Sequence, residues 1–439
     1  MISKSKTIFL NQKIHCLISS GIFLLALLSL IYFFYHLFNI KKDTPTAVYG
    51  VDLIAYYTAA KLADAGEISE IYAEVKEDFS VVNSGKFFET AKNSGFQTTP
   101  TRYIYLPIFL APFKLLTSFN FATVATLWLL LNLIIIIGVI ALEWYFTKDL
   151  MHPLLRLMLI IPLNLFSFPL FYALKLGQTT LIIYLIICLI YYFTLQGHDG
   201  IAGILLGLIV ALKFSPLLFT LYFLYRKRYV LAISCLITIA TLILLSIIAY
   251  GLPLHKIYWH YLTSLSSLGI AGWSNQSLEA FLLRQFTESN ALYFHPLKVS
   301  KFLSILKNIL AIAIIVIIYL SLRKNSGRNY QILYSLEFSA IILCFLVIPS
   351  ISWLHYFTLA TIPAIIITVA CLRLNGRIKR ITLFLTLIGY GMIAFHPNYH
   401  SLVAHFSQPF LIRLLISLPF SGSCLLLLIN LLLIKMDTK

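Results

Sequence analysis

Long apolar runs joined by short polar connections dominate the chain. The first run, Ile14 to Ile40, is too long for a signal-peptide core and lacks a small-residue cleavage site. It predicts a first membrane span over 14–40. Further runs cover 120–146, 153–172, 179–196, 229–250, 302–322, 332–350, 354–372, 381–396 and 410–434. Each approaches the ~20 residues a helix needs to cross ~30 Å of hydrocarbon. The stretch 200–225 differs, because Lys213-Phe214-Ser215-Pro216 interrupts its centre. Each half is then about 12 residues long, too short to cross alone. A broken helix or re-entrant hairpin is predicted there, a form tolerated only where it lines protein or a water-filled cavity. For 104–118 the pattern leaves a span and an interfacial segment equally open.

The expected architecture is an all-α polytopic membrane protein, a single integral-membrane domain over 1–439. It has about ten spans plus the broken element. Spans fill 104–250 and 302–434, and the segments 41–103 and 251–301 form two longer loops. Periodic apolar positions at Leu53, Tyr56, Tyr57, Ala60 and Leu62 predict an amphipathic helix after Asp52, lying on the membrane surface.

Composition agrees with this pattern. Of 439 residues, 60% are hydrophobic and 11% charged, against about 25% charged in soluble domains. A chain of this length with so few charges cannot cover a water-facing surface, which excludes a soluble enzyme, a disordered protein and a secreted disulfide scaffold. The net charge of +17 would suggest nucleic acid in a soluble protein. Here the basic residues cluster at Lys4/Lys6/Lys13, Lys148/Arg156, Arg226-Lys227-Arg228, Arg323-Lys324/Arg328, Arg373/Arg377/Lys379/Arg380 and Lys435/Lys439. These clusters alternate with loops poor in Lys and Arg, so the excess reads as topology and no nucleic-acid partner is expected. Both termini are expected in the cytoplasm, with 41–103 and 251–301 outside. Nine of the 16 acids fall in 41–103. None of the six cysteines has CxxC spacing or a nearby His at ligand spacing, so neither a metal nor a redox site is expected.

A few polar residues stand out. Asp52 opens an apolar helix near the membrane boundary, where desolvation raises a carboxyl pKa, a setting for a general base. It also suits a plain helix N-cap. Lys213 interrupts an apolar run, which marks a functional cation unless it snorkels to the interface. His355 lies at the outer end of two spans, as a structural or a catalytic residue. Asn275-Gln276-Ser277-Leu278 followed by Arg284 fits a cap with a snorkelling Arg, or an anion-binding helix start with a phosphate clamp. Glu77-Asp78 is a weaker cation candidate beside a solvated loop face. His255, Trp259, His260 and Trp273 suit either a sugar site or an interfacial aromatic belt.

The order Asp52…Tyr56-Tyr57…Ala59-Ala60…Leu62…Gly66…Ile71-Tyr72 resembles the first outer loop of glycosyltransferase family 87. Tyr103-Ile104-Tyr105-Leu106-Pro107 is similar to the family's Tyr-x-Tyr-x-Pro segment, and Gly177-Gln178 with Ala202-Gly203…Gly207…Lys213-Phe214-Ser215-Pro216 to its central block. Asn275-Gln276-Ser277-Leu278…Arg284 and Ser352-Trp353-Leu354-His355-Tyr356 complete the series. The resemblance thins after about residue 372. It implies a GT-C-type helical bundle with an extracytoplasmic active site and a polyprenyl-phosphate sugar donor, usually of mannose. It also implies inverting transfer to a lipid or glycan acceptor, with no metal or other cofactor. By this resemblance Asp52 is the base and His355 the second catalytic residue, near the donor phosphate. Tyr56, Tyr57, Tyr105, Gln178, Lys213, Asn275, Gln276, Ser277, Arg284, Trp353 and Tyr356 are the expected substrate contacts. The competing readings are another lipid-carrier sugar transferase or ligase, and a lipid or glycan transporter.

Overall fold

The computed structural model describes residues 2–39, 49–74, 78–287, 291–322, 330–395 and 409–436. Helices account for nearly all of it. The first, α1 (Ile2–Asn39), precedes the first polar loop, which contains α2 (Leu53–Asp64), α3 (Gly85–Asn93) and the five-residue α4 (Leu110–Lys114). Then come α5 (Phe121–Phe146), α6 (Pro153–Leu165), α7 (Phe168–Leu176), α8 (Thr180–Leu195), α9 (Asp199–Leu212) and α10 (Leu217–Tyr225). The long α11 (Tyr229–Ser266) leads into β1 (Leu268–Ile270), α12 (Leu278–Phe286) and β2 (Pro296–Lys298). The chain continues with α13 (Lys301–Ser321), α14 (Tyr330–Val347), α15 (Thr361–Leu372), α16 (Gly376–Ala394), α17 (Pro409–Ile416) and α18 (Leu418–Met436).

Among the described residues, six helical stretches are long and apolar enough to cross a bilayer, or seven if the bent pair α6–α7 is one span. Fewer lengths qualify than the apolar runs predict because several runs are cut short. Helices α6 and α7 meet at 47°, where Ser167 and Pro169 end one and begin the other. Helix α8 has 16 residues and α9 has 14, so they reach only ~24 Å and ~21 Å. The segment 104–118 forms a short 3-10 turn and α4, not a span. The break expected in 200–225 is present: α9 stops at Leu212, Lys213 takes an extended conformation, and α10 starts after Pro216.

One expectation changes. Helix α2 does not lie on a membrane surface, because nine of its twelve residues, including Tyr56, Thr58 and Ala59, are buried on all sides of the helix. The α11 range is two helices in succession: the first stops at Gly251, whose φ of 76° and ψ of 161° are non-helical and accessible to glycine, and the second ends at Ser266. Pro253 starts the next turn without needing a donor. His255 clasps the bend: Nδ1 donates to the Gly251 carbonyl at 2.7 Å, so Nε2 accepts from Ser246 Oγ at 2.8 Å.

Close packing holds the centre. A Cβ on Gly203 would lie 2.3 Å from the Leu231 carbonyl, and one on Gly207 would lie 2.5 Å from Thr238 Cβ. This small-xxx-small pair brings the α9 backbone directly against α11. Outward faces of α1, α5 and α13 expose Phe23, Ile31, Ile134, Ile137, Ile309 and Ile312, as a lipid environment requires. The buried carboxylates Glu143 and Glu337 are paired inside the bundle. Asn164 Nδ2 and the Tyr184 hydroxyl both donate to Glu143, and Arg226 pairs with the wholly buried Glu337.

Candidate active site

The site is built where the end of the first loop meets the α7–α8 junction. Gly177 makes that meeting possible. Its φ is 68°, and a Cβ there would lie 2.8 Å from Leu53 Cβ and 3.2 Å from Gly50 Cα. With no side chain in the way, Gly50 N donates to the Lys175 carbonyl at 3.0 Å and Asp52 N to the Leu176 carbonyl at 2.9 Å. Asp52 occupies the N-cap position of α2, yet its side chain makes no capping bond. Its Oδ2 instead accepts from Gln178 Nε2.

A cavity of about 220 Å³ opens beside this carboxylate. It is lined by Asp52, Tyr56, Thr101, Arg102, Tyr105, Tyr172, Gln178, Ser274, His355 and Tyr356, with Phe79, Phe294 and Trp353 as an aromatic flank. Asp52 is the one carboxylate among the described lining residues. Burial pushes its pKa up from 3.8 to about 6, with the Thr101 and Gln178 hydrogen bonds pulling it partly back. The Tyr56 hydroxyl points at both Tyr105 Oη (2.8 Å) and Gln178 Oε1 (3.2 Å), so Gln178 is fixed at both ends of its amide. His355, 1% exposed, has Nδ1 2.6 Å from Thr180 Oγ1, and its ring centroid is 4.1 Å from that of Tyr356.

The expected contacts therefore separate into groups. Asp52, Tyr56, Tyr105, Gln178, Trp353, His355 and Tyr356 converge on the cavity. Lys213 stands behind it, its ammonium 2.6 Å from the centroid of the Tyr356 ring, a cation–π contact. Tyr57 turns away and donates to the Phe119 carbonyl at 2.7 Å.

Asn275, Gln276, Ser277 and Arg284 do not line the cavity. Asn275 donates to the Ile270 carbonyl and accepts from Ser352 N, both at 2.9 Å. Gln276 Nε2 donates to the Trp273 and Ile416 carbonyls. Ser277 caps α12 by accepting from Ala280 N and donates to the Ser350 carbonyl. Arg284, 0% exposed, donates to the Ala271 and Asn275 carbonyls and to Ser417 Oγ at 2.8–3.1 Å. In place of an anion clamp, these residues brace the 350–356 segment that carries Trp353 and His355. Gln276 N donates to the Ser352 carbonyl and Leu354 N to that of Ser274.

The weaker candidates also fall elsewhere. Asp78 turns its Oδ1 to Ser80, and Glu77 lies outside the described residues. His255, Trp259 and His260 sit on the second half of α11, away from the cavity. Among the described residues, no three His, Cys, Asp or Glu side chains converge as metal ligands. Thr101, Arg102, Tyr172, Ser274, Phe79 and Phe294 enter the lining without having been marked beforehand. They come from five separate segments, and no local spacing announces them. The adjacency of Thr101-Arg102 to Tyr103-x-Tyr105-x-Pro107 was the one usable hint.

The model of glycosyltransferase family 87 matches residues 103–349, more than half of the chain. The chain belongs to that family. It is accordingly a membrane glycosyltransferase, with a sugar donor and a sugar acceptor. No curated protein and no solved structure matches it. The family match contains Tyr105, Gln178 and Lys213, whereas Asp52, Trp353, His355 and Tyr356 lie outside it. Folding brings the second group against the first.

Proposed function

We propose that this glycosyltransferase moves a hexose, mannose foremost, from a polyprenyl-phosphate donor to a lipid or glycan acceptor on the extracytoplasmic face, with inversion. The observation that carries this reading is Asp52, the one carboxylate among the cavity's described lining residues, held by Gln178 with its pKa raised to about 6. In such a displacement the acceptor hydroxyl oxygen bonds to the anomeric carbon as the bond from that carbon to the phosphate oxygen breaks. The hydroxyl proton passes to Asp52, and the leaving phosphate keeps its electron pair. A phosphate leaving group needs positive charge and not a general acid. Lys213 behind Tyr356 is the cationic candidate, because a phosphate arriving beside it favours its charged form, while the buried His355 in the wall serves as a hydrogen-bonding group; Arg284 is committed to backbone carbonyls.

The sidedness is supported by the course of three helices. Helix α8 begins at the cavity beside Gln178 and Thr180, α9 returns to Lys213, and α10 leads away to Arg226 and Arg228. The basic loop therefore lies at the far end of α10, and the positive-inside rule puts that end in the cytoplasm.

The test is transfer from radiolabelled polyprenyl-phosphate-mannose by the full-length protein, paired with mass spectrometry of glycolipids from Asp52→Asn cells. Loss of transfer by ~10²–10⁴-fold with normal expression is expected. Near-wild-type turnover of Asp52→Asn would sink the mechanism, and a product lacking a hexose would sink the choice of sugar.

A further inference from the structure

Arg102 lines the cavity but has nothing left to offer a substrate. Its Nε donates to the Phe79 carbonyl at 2.9 Å, and Nη1 to those of Ala73 (2.8 Å) and Glu74. Nη2 donates to Asp78 (3.0 Å) and Val81 (2.9 Å). All five guanidinium donors thus end on the backbone of one strap, the segment containing Ala73, Glu74 and Asp78 to Val81. Phe79, Ser80 and Val81 of the strap form one wall of the cavity.

That wall is coupled to the proposed base by a short route. Val81 bridges to Thr101, and both Thr101 N and Thr101 Oγ1 donate to the Val51 carbonyl, the residue before Asp52. On its other side Phe79 N donates to the Phe294 carbonyl at 3.0 Å, and the Phe79 ring lies 6.3 Å from that of Trp353. The strap therefore spans from the neighbourhood of Asp52 to the aromatic flank, and the Arg102 guanidinium is the side chain that gathers its carbonyls.

We propose that Arg102 is a positioning residue that holds this strap as the acceptor-side wall of the site, beside the carboxylate that takes the acceptor's proton. The assignment to acceptor rests on the proposed function, because only there is Asp52 the base. It follows that loosening the strap misplaces the acceptor more than it affects the donor. Water entering in place of the acceptor would attack the same anomeric carbon and give free sugar and polyprenyl phosphate.

The test compares wild type, Arg102→Lys, Arg102→Ala and Asp78→Ala as full-length protein in lipid. Asp78 lies outside the cavity lining but shapes the strap's turn, its Oδ1 accepting from Ser80 N and Oγ at 2.6 Å. Labelled polyprenyl-phosphate-mannose is the donor and octyl mannoside the acceptor probe, with transfer and donor hydrolysis measured together. In Arg102→Ala the ratio of transfer to hydrolysis is expected to drop on the order of ten- to a hundredfold. The KM for octyl mannoside rises while that for donor holds. Arg102→Lys and Asp78→Ala fall between Arg102→Ala and wild type. A uniform loss of active protein would lower both reactions together and leave their ratio intact, which overturns the proposal. Hydrogen exchange gives an arm independent of the reaction. Faster exchange confined to 78–82 in Arg102→Ala supports the strap's dependence on Arg102, and unchanged exchange there overturns it. If wild type neither transfers nor hydrolyses this donor, the proposed function fails, and exchange still decides the strap.

Discussion

Gln178 donates its amide N–H to Asp52 Oδ2, joining residues 126 positions apart in the chain. Its amide oxygen faces Tyr56, so the direction of the donated bond is fixed by a second contact. Only one oxygen of the carboxylate is thereby committed to Gln178. Replacing Gln178 by Glu puts a second acid against Asp52 and raises its pKa. The expected result is a rising limb of kcat/KM moved to higher pH, with a fall in rate at neutral pH. A profile that stays in place would show that Gln178 does not orient the base.

The pH dependence of the unmodified protein follows from burial of Asp52. With its pKa raised to about 6, the carboxylate form grows through that value, so kcat/KM rises to near pH 6 and then levels. Stability runs the other way. Between about pH 4 and pH 6 the folded protein holds a proton that the unfolded chain has released, so stability falls as pH rises through that window. Asp52→Asn lacks this titration. Its melting temperature, compared with wild type, is expected to gain between pH 4 and pH 7 while transfer stays lost.

Gly177→Ala tests the junction that brings the loop to α8. A left-handed conformation costs a non-glycine residue about 1–2 kcal/mol, before the clash with Leu53 is counted. A lower melting temperature and a larger loss of kcat than of donor binding are expected. Gly197, with φ 76° and open space around it, is the control, because Gly197→Ala carries backbone strain without the collision. Equal effects from the two would sink the close-approach argument.

Arg284 separates scaffolding from phosphate binding. Removing it leaves several buried carbonyls without a donor, each worth about 1–3 kcal/mol. Arg284→Ala should therefore lose thermal stability and purified yield. Whatever folded protein remains should keep its donor KM. A large rise in donor KM at unchanged stability would restore the anion-clamp reading.

The helical membrane character, the Lys213 break and the cap position of Asp52 were legible because each rests on local properties: apolar length, a Lys and Pro within a run, an acid before a helix. The break in α11 at Gly251 is local as well. Gly251 and Pro253 look like a helix end, yet Pro at the start of a turn lets a new helix begin at once. Arg284 and Arg102 show what spacing cannot reveal. Both are cations in polar stretches, and only the fold tells that their partners are backbone carbonyls rather than phosphate. The periodicity of α2 is real and by itself points to a surface helix, but α3, α4 and α5 close around it.

Two helices joined end to end at Gly251 lead from an apolar stretch to the rings beside Tyr105. At ~1.5 Å per residue the first, over 229–250, measures ~33 Å, which already matches ~30 Å of hydrocarbon and leaves the second as surplus. Past the His255 clasp this surplus length carries Tyr258 and Tyr261 onto the Tyr72 ring, at 5.3 and 5.4 Å, and Tyr72 in turn donates to the Tyr105 carbonyl. A tilt of the first helix is expected to reach Tyr105 only as far as the His255 clasp stiffens the Gly251 break. Turnover should vary with acyl-chain length in reconstituted vesicles, and His255→Ala should flatten that response. That pair of outcomes would mark the membrane as a mechanical input to this enzyme as well as its solvent.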